Sequence, residues 1–183
     1  MKEEKKKSLM KFLAVWGGIS LVLTLFIAGF FIYRVKFENK EYIDKSSTSD
    51  VGFVMNWCNL GDSRIVKVLH SYKSPIGFNG DNFKAYEIEI SNITIDELTK
   101  DENSSVKQWY RGDQLPTIVN DAITFVSSMQ NKNTWLPSSS QIKTSDFYVH
   151  LWKIEYQGMS PEVADVIVIE PRKKIVYYIS LTI

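Results

Sequence analysis

Cysteine and histidine, which supply disulfides, zinc ligands and many catalytic groups, are scarce in this chain of 183 residues. Cys58 is the single cysteine, so no internal disulfide can form, and an exported domain must be held together by its hydrophobic core. The two histidines, His70 and His150, occur in no metal-ligand spacing, and one cysteine does not complete a zinc site. The sequence therefore predicts no metal site and no cofactor.

The signatures of common hydrolases and of phosphate-binding proteins are also missing. Residues 158–161 lack the final glycine of the serine-hydrolase turn, and the glycine-rich stretch 77–81 lacks the lysine and helix of a phosphate-binding loop. His70 and Ser71 are neighbours in a predicted strand, where they point to opposite faces and cannot form a catalytic pair. No catalytic residue is predicted, and an enzymatic function is not favoured.

One long apolar run stands out: residues 12–33 contain no charged side chain. At about 1.5 Å per residue, a helix of this length covers roughly 33 Å, enough to cross a hydrocarbon core of about 30 Å. A cleaved signal peptide usually has a shorter apolar region that ends in small residues, whereas this run ends in the bulky sequence FFIY. We therefore predict an uncleaved signal anchor that spans the lipid bilayer.

The basic residues beside the run predict its orientation. Five lysines precede it, and four basic residues follow it up to Lys45. Because Lys and Arg are retained on the cytoplasmic side, we expect a cytoplasmic tail at 1–11, a transmembrane helix at 12–33 and a juxtamembrane linker at 34–50. Residues 51–183 then form an extracytoplasmic domain, either periplasmic or on the cell surface.

The net charge of +1 hides an uneven distribution. Nine of the 22 basic residues lie before Ser46, which leaves 13 basic against 16 acidic residues in the rest of the chain. A mildly acidic domain does not suit the phosphate backbone of a nucleic acid. We therefore expect no nucleic-acid partner, and we assign the basic residues next to the membrane to contacts with lipid headgroups.

The apolar pattern of the domain predicts an α+β fold. Strands are expected where β-branched and aromatic residues are enriched, at 64–72, 83–90, 147–156, 163–169 and 174–182. A capping-box sequence at 94–97 predicts a short helix, and the main helix is expected at 116–129. The apolar stripe of the main helix consists of Leu115, Ile118, Val119, Ala122, Ile123, Val126 and Met129. This order predicts a two-layer domain, an antiparallel sheet of about five strands packed with one main helix.

Two of these strands allow a finer prediction. Residues 166–169 are apolar at every position, which is typical of an interior strand with both faces covered. In 83–90 two sets of residues alternate, so this strand is expected to keep the face of Ala85, Glu87 and Glu89 in water.

The candidate binding residues lie just before the main helix: Trp109, Tyr110, Arg111 and Asp113. Trp, Tyr and Arg are the residue types that dominate binding hot spots, although the two aromatic residues would equally suit a core. The tripeptide at 111–113 resembles the integrin-recognition tripeptide of adhesion proteins. Three residues recur by chance, however, and here Gly and Asp also suit the start of a helix.

We therefore expect a single-pass membrane protein whose extracytoplasmic domain binds an envelope protein or a toxin-like protein. Two alternatives stay open. An anchored hydrolase requires polar side chains that converge with His70 or His150 in one cleft. A small-ligand-binding domain requires a pocket between the sheet and the helix.

Overall fold

The computed structural model describes residues 2–33, 40–77, 80–99, 109–130 and 133–183, with side chains from residue 14 onward. The chain divides into two compact units, Met1–Lys40 and Glu41–Ile183. The first part of the predicted linker, at 34–39, lies outside the described residues, and so do residues 101–107, where the polar sequence predicts an exposed loop.

The first unit contains one helix, α1 (Lys2–Tyr33). Its segment Ala14–Tyr33 has a mean hydropathy of 2.2 and is long and apolar enough to cross a membrane. The apolar side chains are exposed around the helix, as in Phe26, which is 76% exposed. A helix of membrane-spanning length is thus confirmed; an N-terminal signal sequence has the same length and composition.

Besides two short 3-10 helices, the second unit contains seven strands and four α-helices in the described part of the chain. In chain order they are β1 (Tyr42–Ile43), α2 (Thr48–Trp57), β2 (Ile65–Lys73), β3 (Asn82–Ile90), α3 (Ile95–Thr99), β4 (Tyr110–Arg111), α4 (Thr117–Ser127), α5 (Ser139–Ile142), β5 (Tyr148–Gln157), β6 (Ser160–Glu170) and β7 (Ile175–Thr182). All strand pairs are antiparallel, in the order β1-β2-β3-β7-β6-β5-β4. The α+β class is confirmed, with seven strands instead of about five.

Helices cover both faces of this sheet, so the unit has three layers instead of two. In β6, Val166 and Val168 pack in the core that contains α4, whereas Ile167 and Ile169 pack in the core that contains α2. Successive strand residues point to opposite faces, so α2 and α4 lie on opposite sides of the sheet. We call these sides the α2 face and the α4 face. Residues 166–169 of β6 are apolar at every position because both faces are covered, and the predicted interior position of this strand is confirmed.

The prediction of a wet face for β3 is wrong. Ala85 is fully buried in the α4 core, and the side chain of Glu87 is only 13% exposed. The Glu87 carboxylate is covered by the fold and lies near the polar side chains of His70 and Tyr177. A polar residue in this alternating pattern therefore did not indicate a solvent-exposed face.

The folded unit begins earlier than the predicted domain boundary. The linker predicted at 34–50 contains β1 and the first residues of α2. Asp50 starts α2 by accepting hydrogen bonds from the amide and the hydroxyl of Ser47, both at 2.7 Å. The polar sequence of this stretch therefore reflects helix capping and strand pairing at a sheet edge.

The main helix is confirmed as α4, which packs one side against the sheet. It buries four residues of the predicted stripe: Val119, Ala122, Ile123 and Val126. Ile118 and Met129 are instead 47% and 52% exposed. The buried stripe is narrower than predicted, because Ile118 turns away from the sheet and Met129 lies beyond the end of the helix.

Candidate interaction surface

The four predicted binding residues lie in different environments. Trp109 is only 6% exposed and packs in the core on the α2 face, where its ring centroid lies 5.3 Å from that of His150. Tyr110 is half-buried in β4, and Arg111 and Asp113 are exposed. Trp109 is therefore a core residue in this structure, and its ring is not available to a partner.

Arg111 and Asp113 form an ion pair with each other. The Arg111 Nε donates to Asp113 Oδ1 at 2.5 Å, and a second guanidinium nitrogen donates to Oδ2 at 3.0 Å. This hydrogen-bonded carboxylate raises the pKa of Arg111. Between them, Gly112 lies so close to the next segment that an added Cβ would overlap the carbonyl oxygens of Ile142 and Thr144. The tripeptide therefore has a structural role.

A stacked aromatic pair with one exposed ring, which the sequence analysis missed, lies on the α2 face. Trp57 from α2 and Trp152 from β5 stack with their ring centroids 4.9 Å apart and an interplanar angle of 4°. Trp152 is 46% exposed. Phe53 and Tyr178 contact Trp57 edge-on from the inner side, at 4.6 and 6.0 Å between centroids. The exposed ring therefore rests on a packed aromatic base.

A β-bulge determines where Trp152 points. Leu151 pairs with Val166, but Lys153 pairs with Asp165, so Trp152 is an extra residue in β5. The bulge places this side chain against Trp57 on the α2 face. Because the two tryptophans are distant in sequence and meet only through a register shift, no local sequence pattern indicates the pair.

Beyond Leu151, most residues of β5 in the β5–β6 hairpin become exposed. The first three residues of β5 are buried, whereas from Trp152 to Gln157 all residues except Ile154 are exposed. Met159, in the turn of the hairpin, is 98% exposed. Within the described ranges, β4 is the one strand on the outer side of β5, and it reaches only the first two residues. We call Trp57 together with residues 152–162 the hairpin surface.

A polar cluster surrounds His70 on the α4 face. The His70 Nδ1 lies 3.4 Å from Asp44 Oδ1, and its Nε2 lies 3.9 Å from Glu87 Oε2. The imidazole stacks on Trp135 with 5.5 Å between centroids. The Tyr177 hydroxyl lies near the Glu87 carboxylate, and burial raises the pKa of both groups. The cluster thus brings an imidazole near two carboxylates, which meets one part of what the hydrolase alternative requires.

The Ser71 hydroxyl and the Cys58 thiol, the two side chains considered as nucleophiles, do not contact His70. The Ser71 hydroxyl faces away from His70 and accepts hydrogen bonds from the amides of Lys45 and Ser46 at 3.1 and 3.2 Å. The Cys58 thiol is 1% exposed and donates to a carbonyl oxygen of α2, and burial raises its pKa to about 12. Such a thiol is inert at neutral pH.

Among the described residues, no group of three His, Cys, Asp or Glu side chains is arranged to hold a metal ion.

An open cavity of about 300 Å³ lies on the α2 face, between the start of α2 and the β1 edge of the sheet. Its polar lining includes Tyr42, Lys45 and Lys73. We call it the basic cavity.

These features define a class of protein: a three-layer α+β unit with an exposed aromatic surface, preceded by a helix of membrane-spanning length. Comparisons with known proteins add no particular name, because no family model, no curated protein and no solved structure matches the chain.

Proposed function

We propose that the protein is a single-pass membrane protein whose second unit binds a protein partner outside the cytoplasm. In this proposal Ala14–Tyr33 is retained as an anchor, and the lysine-rich amino terminus lies in the cytoplasm. The partner is an envelope protein or a toxin-like protein. The apolar helix and the lysines before it support the anchoring and its direction.

The observation that carries the binding function is the exposed stack of Trp57 and Trp152. A tryptophan buries roughly 150 to 250 Å² when it is fully covered, and here almost half of the Trp152 side chain is still open to solvent. Because Trp57 already holds the ring in place, a partner that covers it loses little side-chain entropy. Rigid, partly exposed tryptophans of this kind are typical binding hot spots.

The exposed backbone of the hairpin surface offers a second means of attachment. Beyond the two residues that pair with β4, the outer edge of β5 has no neighbouring strand in the described part of the chain. An extended segment of a partner can add to such an edge through main-chain hydrogen bonds. Trp152 would then supply the side-chain anchor beside the added strand.

Site-specific photo-crosslinking tests the binding function. A photo-crosslinking residue replaces Lys153 on the hairpin surface, and in a matched control variant it replaces Thr124 on the exposed side of α4. In intact source cells we expect a discrete protein adduct from position 153 and none from position 124. Adding Trp152→Ala should abolish the adduct, whereas Ile118→Ala, which truncates an equally exposed apolar residue on α4, should leave it unchanged.

The same adduct from both positions, or an adduct that persists in Trp152→Ala, would contradict binding through the hairpin surface. A circular dichroism spectrum and an unfolding curve for each variant separate loss of binding from loss of folding.

Protease protection tests the anchoring and its direction. Trypsin added to intact spheroplasts should cleave the chain ahead of β1, at Arg34, Lys36 or Lys40, and release the second unit. Full protection until lysis would place this unit in the cytoplasm. Recovery of a chain that already lacks the first unit would identify the helix as a cleaved signal sequence.

The anchored hydrolase is a second candidate, favoured by the contact of His70 with Asp44 and Glu87. We place it below binding because the Ser71 hydroxyl and the Cys58 thiol are both engaged away from the imidazole. A hydrolytic activity that His70→Asn removes without altering the unfolding curve would reverse this order.

A further inference from the structure

We propose that the basic cavity binds the phosphate group of an anionic phospholipid headgroup. This inference goes beyond protein binding and rests on the anchoring part of the proposed function, because the headgroup belongs to the membrane that holds α1.

The first argument is an unfavourable pair of like charges. Lys73 and Lys84 occupy directly opposite positions in the β2–β3 register, on the α2 face. Like charges in opposite positions destabilise a sheet. At the other end of the same two strands, Lys67 lies opposite Glu89, and the two form an ion pair at 3.2 Å. Charge pairing is thus favourable at one end of these strands and unfavourable at the end beside the cavity.

The second argument is that the cations at this end have no carboxylate partner in the described ranges. Lys45 and Lys73 line the cavity, Lys84 lies beside it, and no ion pair involves any of them in the described part of the chain. Lys45 instead lies over the ring of Tyr42, with its Nζ 5.5 Å from the ring centroid. A bound phosphate would relieve the repulsion between these ammonium groups.

Two acidic residues, Asp50 and Glu41, lie at or beside the cavity. Asp50 lines the cavity, but its carboxylate accepts the two hydrogen bonds from Ser47 that start α2. Glu41 lies near the hydroxyl of Tyr72, another lining residue, and burial together with this carboxylate raises the pKa of that hydroxyl. The cavity therefore presents two ammonium groups and several tyrosine rings beside one hydrogen-bonded carboxylate, a combination suited to the interface between lipid headgroups and water.

The third argument is the short distance along the chain from the apolar helix. Nine residues lead from Tyr33, the last residue of α1, to Tyr42 in the cavity wall. Even when fully extended, nine residues reach at most about 32 Å. A cavity so closely tethered to a membrane helix encounters headgroup phosphate at a far higher local concentration than any dissolved phosphate ester.

Lysine footprinting of the full chain in nanodiscs tests the inference. The chain is incorporated into discs of phosphatidylcholine, with or without about one third phosphatidylglycerol, and the acetylation rate of each lysine is measured by mass spectrometry. We expect phosphatidylglycerol to slow acetylation of Lys45 and Lys73 at least about threefold, with Lys67 unchanged as the internal control. Lys84→Gln should reduce this protection, whereas Lys67→Gln should not.

Three outcomes would overturn the inference. Equal rates in both kinds of disc would show that the cavity does not bind the headgroup. Equal slowing at Lys67 would indicate diffuse attraction to a charged surface. Equal protection by glycerol phosphate added to phosphatidylcholine discs would make the cavity a site for dissolved phosphate esters.

The test also separates this inference from the proposed function. A chain that does not co-elute with the discs has no anchor, and both proposals then lose their membrane component. A chain that co-elutes with unprotected lysines contradicts the headgroup site alone. The crosslink from position 153 reports on protein binding independently of either result.

Discussion

At the scale of single residues, Gly112 is the clearest case of a side chain excluded by its surroundings. The carbonyl oxygens of Ile142 and Thr144 occupy the space that a Cβ would need, and both belong to the backbone. We expect Gly112→Ala to lower the free energy of unfolding by about 3 kcal/mol, the upper range for overpacking, as measured by urea denaturation. The hydrogen bond from the Gly112 amide to the Phe147 carbonyl oxygen, at 2.8 Å, would be strained as well.

Gly52 provides a matched control within the same unit. It lies inside α2, where an added Cβ would meet its nearest atom, the Asp62 Cβ, at an ordinary 3.6 Å. Gly52→Ala should therefore raise stability by about 0.5 to 1 kcal/mol, the usual gain from removing a helix glycine. A Gly112→Ala variant as stable as the parent would refute the close approach, and with it the structural explanation of the 111–113 tripeptide.

At the scale of elements, Asp44 attaches β1 to the edge of the sheet. Its backbone amide donates to the Ser71 carbonyl oxygen at 2.8 Å, and its carboxylate accepts from the Ser71 amide at 2.9 Å and lies near His70. Asp44 also has a positive φ of 50°, which Asn adopts readily and Ala does not. We expect Asp44→Ala to accelerate hydrogen exchange of the Ser71 amide about tenfold, whereas Asp44→Asn should change it little.

The effect of Asp44→Ala should be local. Amides in the interior strand β6 should exchange at parental rates, because β1 pairs only with β2 and lies at the end of the sheet. Equal acceleration in β6 would mean that β1 contributes to the stability of the whole unit.

The five long strands were easier to predict from the sequence than the short strands and the packing around them. Periodicity located β2, β3, β5, β6 and β7 because each combines β-branched residues with clear turn residues at its ends. β1 and β4 have two residues each and were missed, since a two-residue strand has no periodicity. Glu87 and Glu89 suggested a wet face in β3, and only the tertiary neighbours of Glu87 explain why its carboxyl is covered. The α2 layer was missed because its ten residues read as an apolar segment of undefined structure.

The candidate sites were even harder to predict from the sequence than the fold. Trp109 was chosen by residue type and is buried, whereas Trp152 was passed over and is exposed. A bulge decides the position of Trp152, and strand register decides that of Lys84 opposite Lys73. Both are long-range geometry, which residue spacing along one segment does not contain.

At the scale of the whole molecule, the buried titratable groups predict sensitivity to alkali. Burial raises the pKa of Cys58 from 9.0 to about 12 and also raises the pKa values of Tyr177 and Tyr178 above 10.0. These protons are held more tightly in the folded state, so above about pH 9 the unfolded state binds fewer protons than the folded state. The free energy of unfolding should therefore be unaffected below pH 9 by these groups and should fall as pH rises from about 9 to 12.

Urea midpoints measured at several alkaline pH values test this expectation, and tyrosinate absorbance should rise together with unfolding. Cys58→Ala removes the contribution of the thiol and should make the decline begin nearer pH 10, where tyrosine ionises in the unfolded chain. A midpoint that stays constant up to pH 11 would contradict the burial of these groups.

The position of β1 also determines how the protein responds to mechanical force. In the anchored protein proposed above, tension between the two units would reach the second unit first at β1, which pairs with β2 through only two residues. So short a pairing would bear that tension with few hydrogen bonds. Release of residues 41–46 would lengthen the tether by about 20 Å before α2 is reached. The β1 edge would thus act as an extensible link that gives way under tension while the rest of the sheet stays folded.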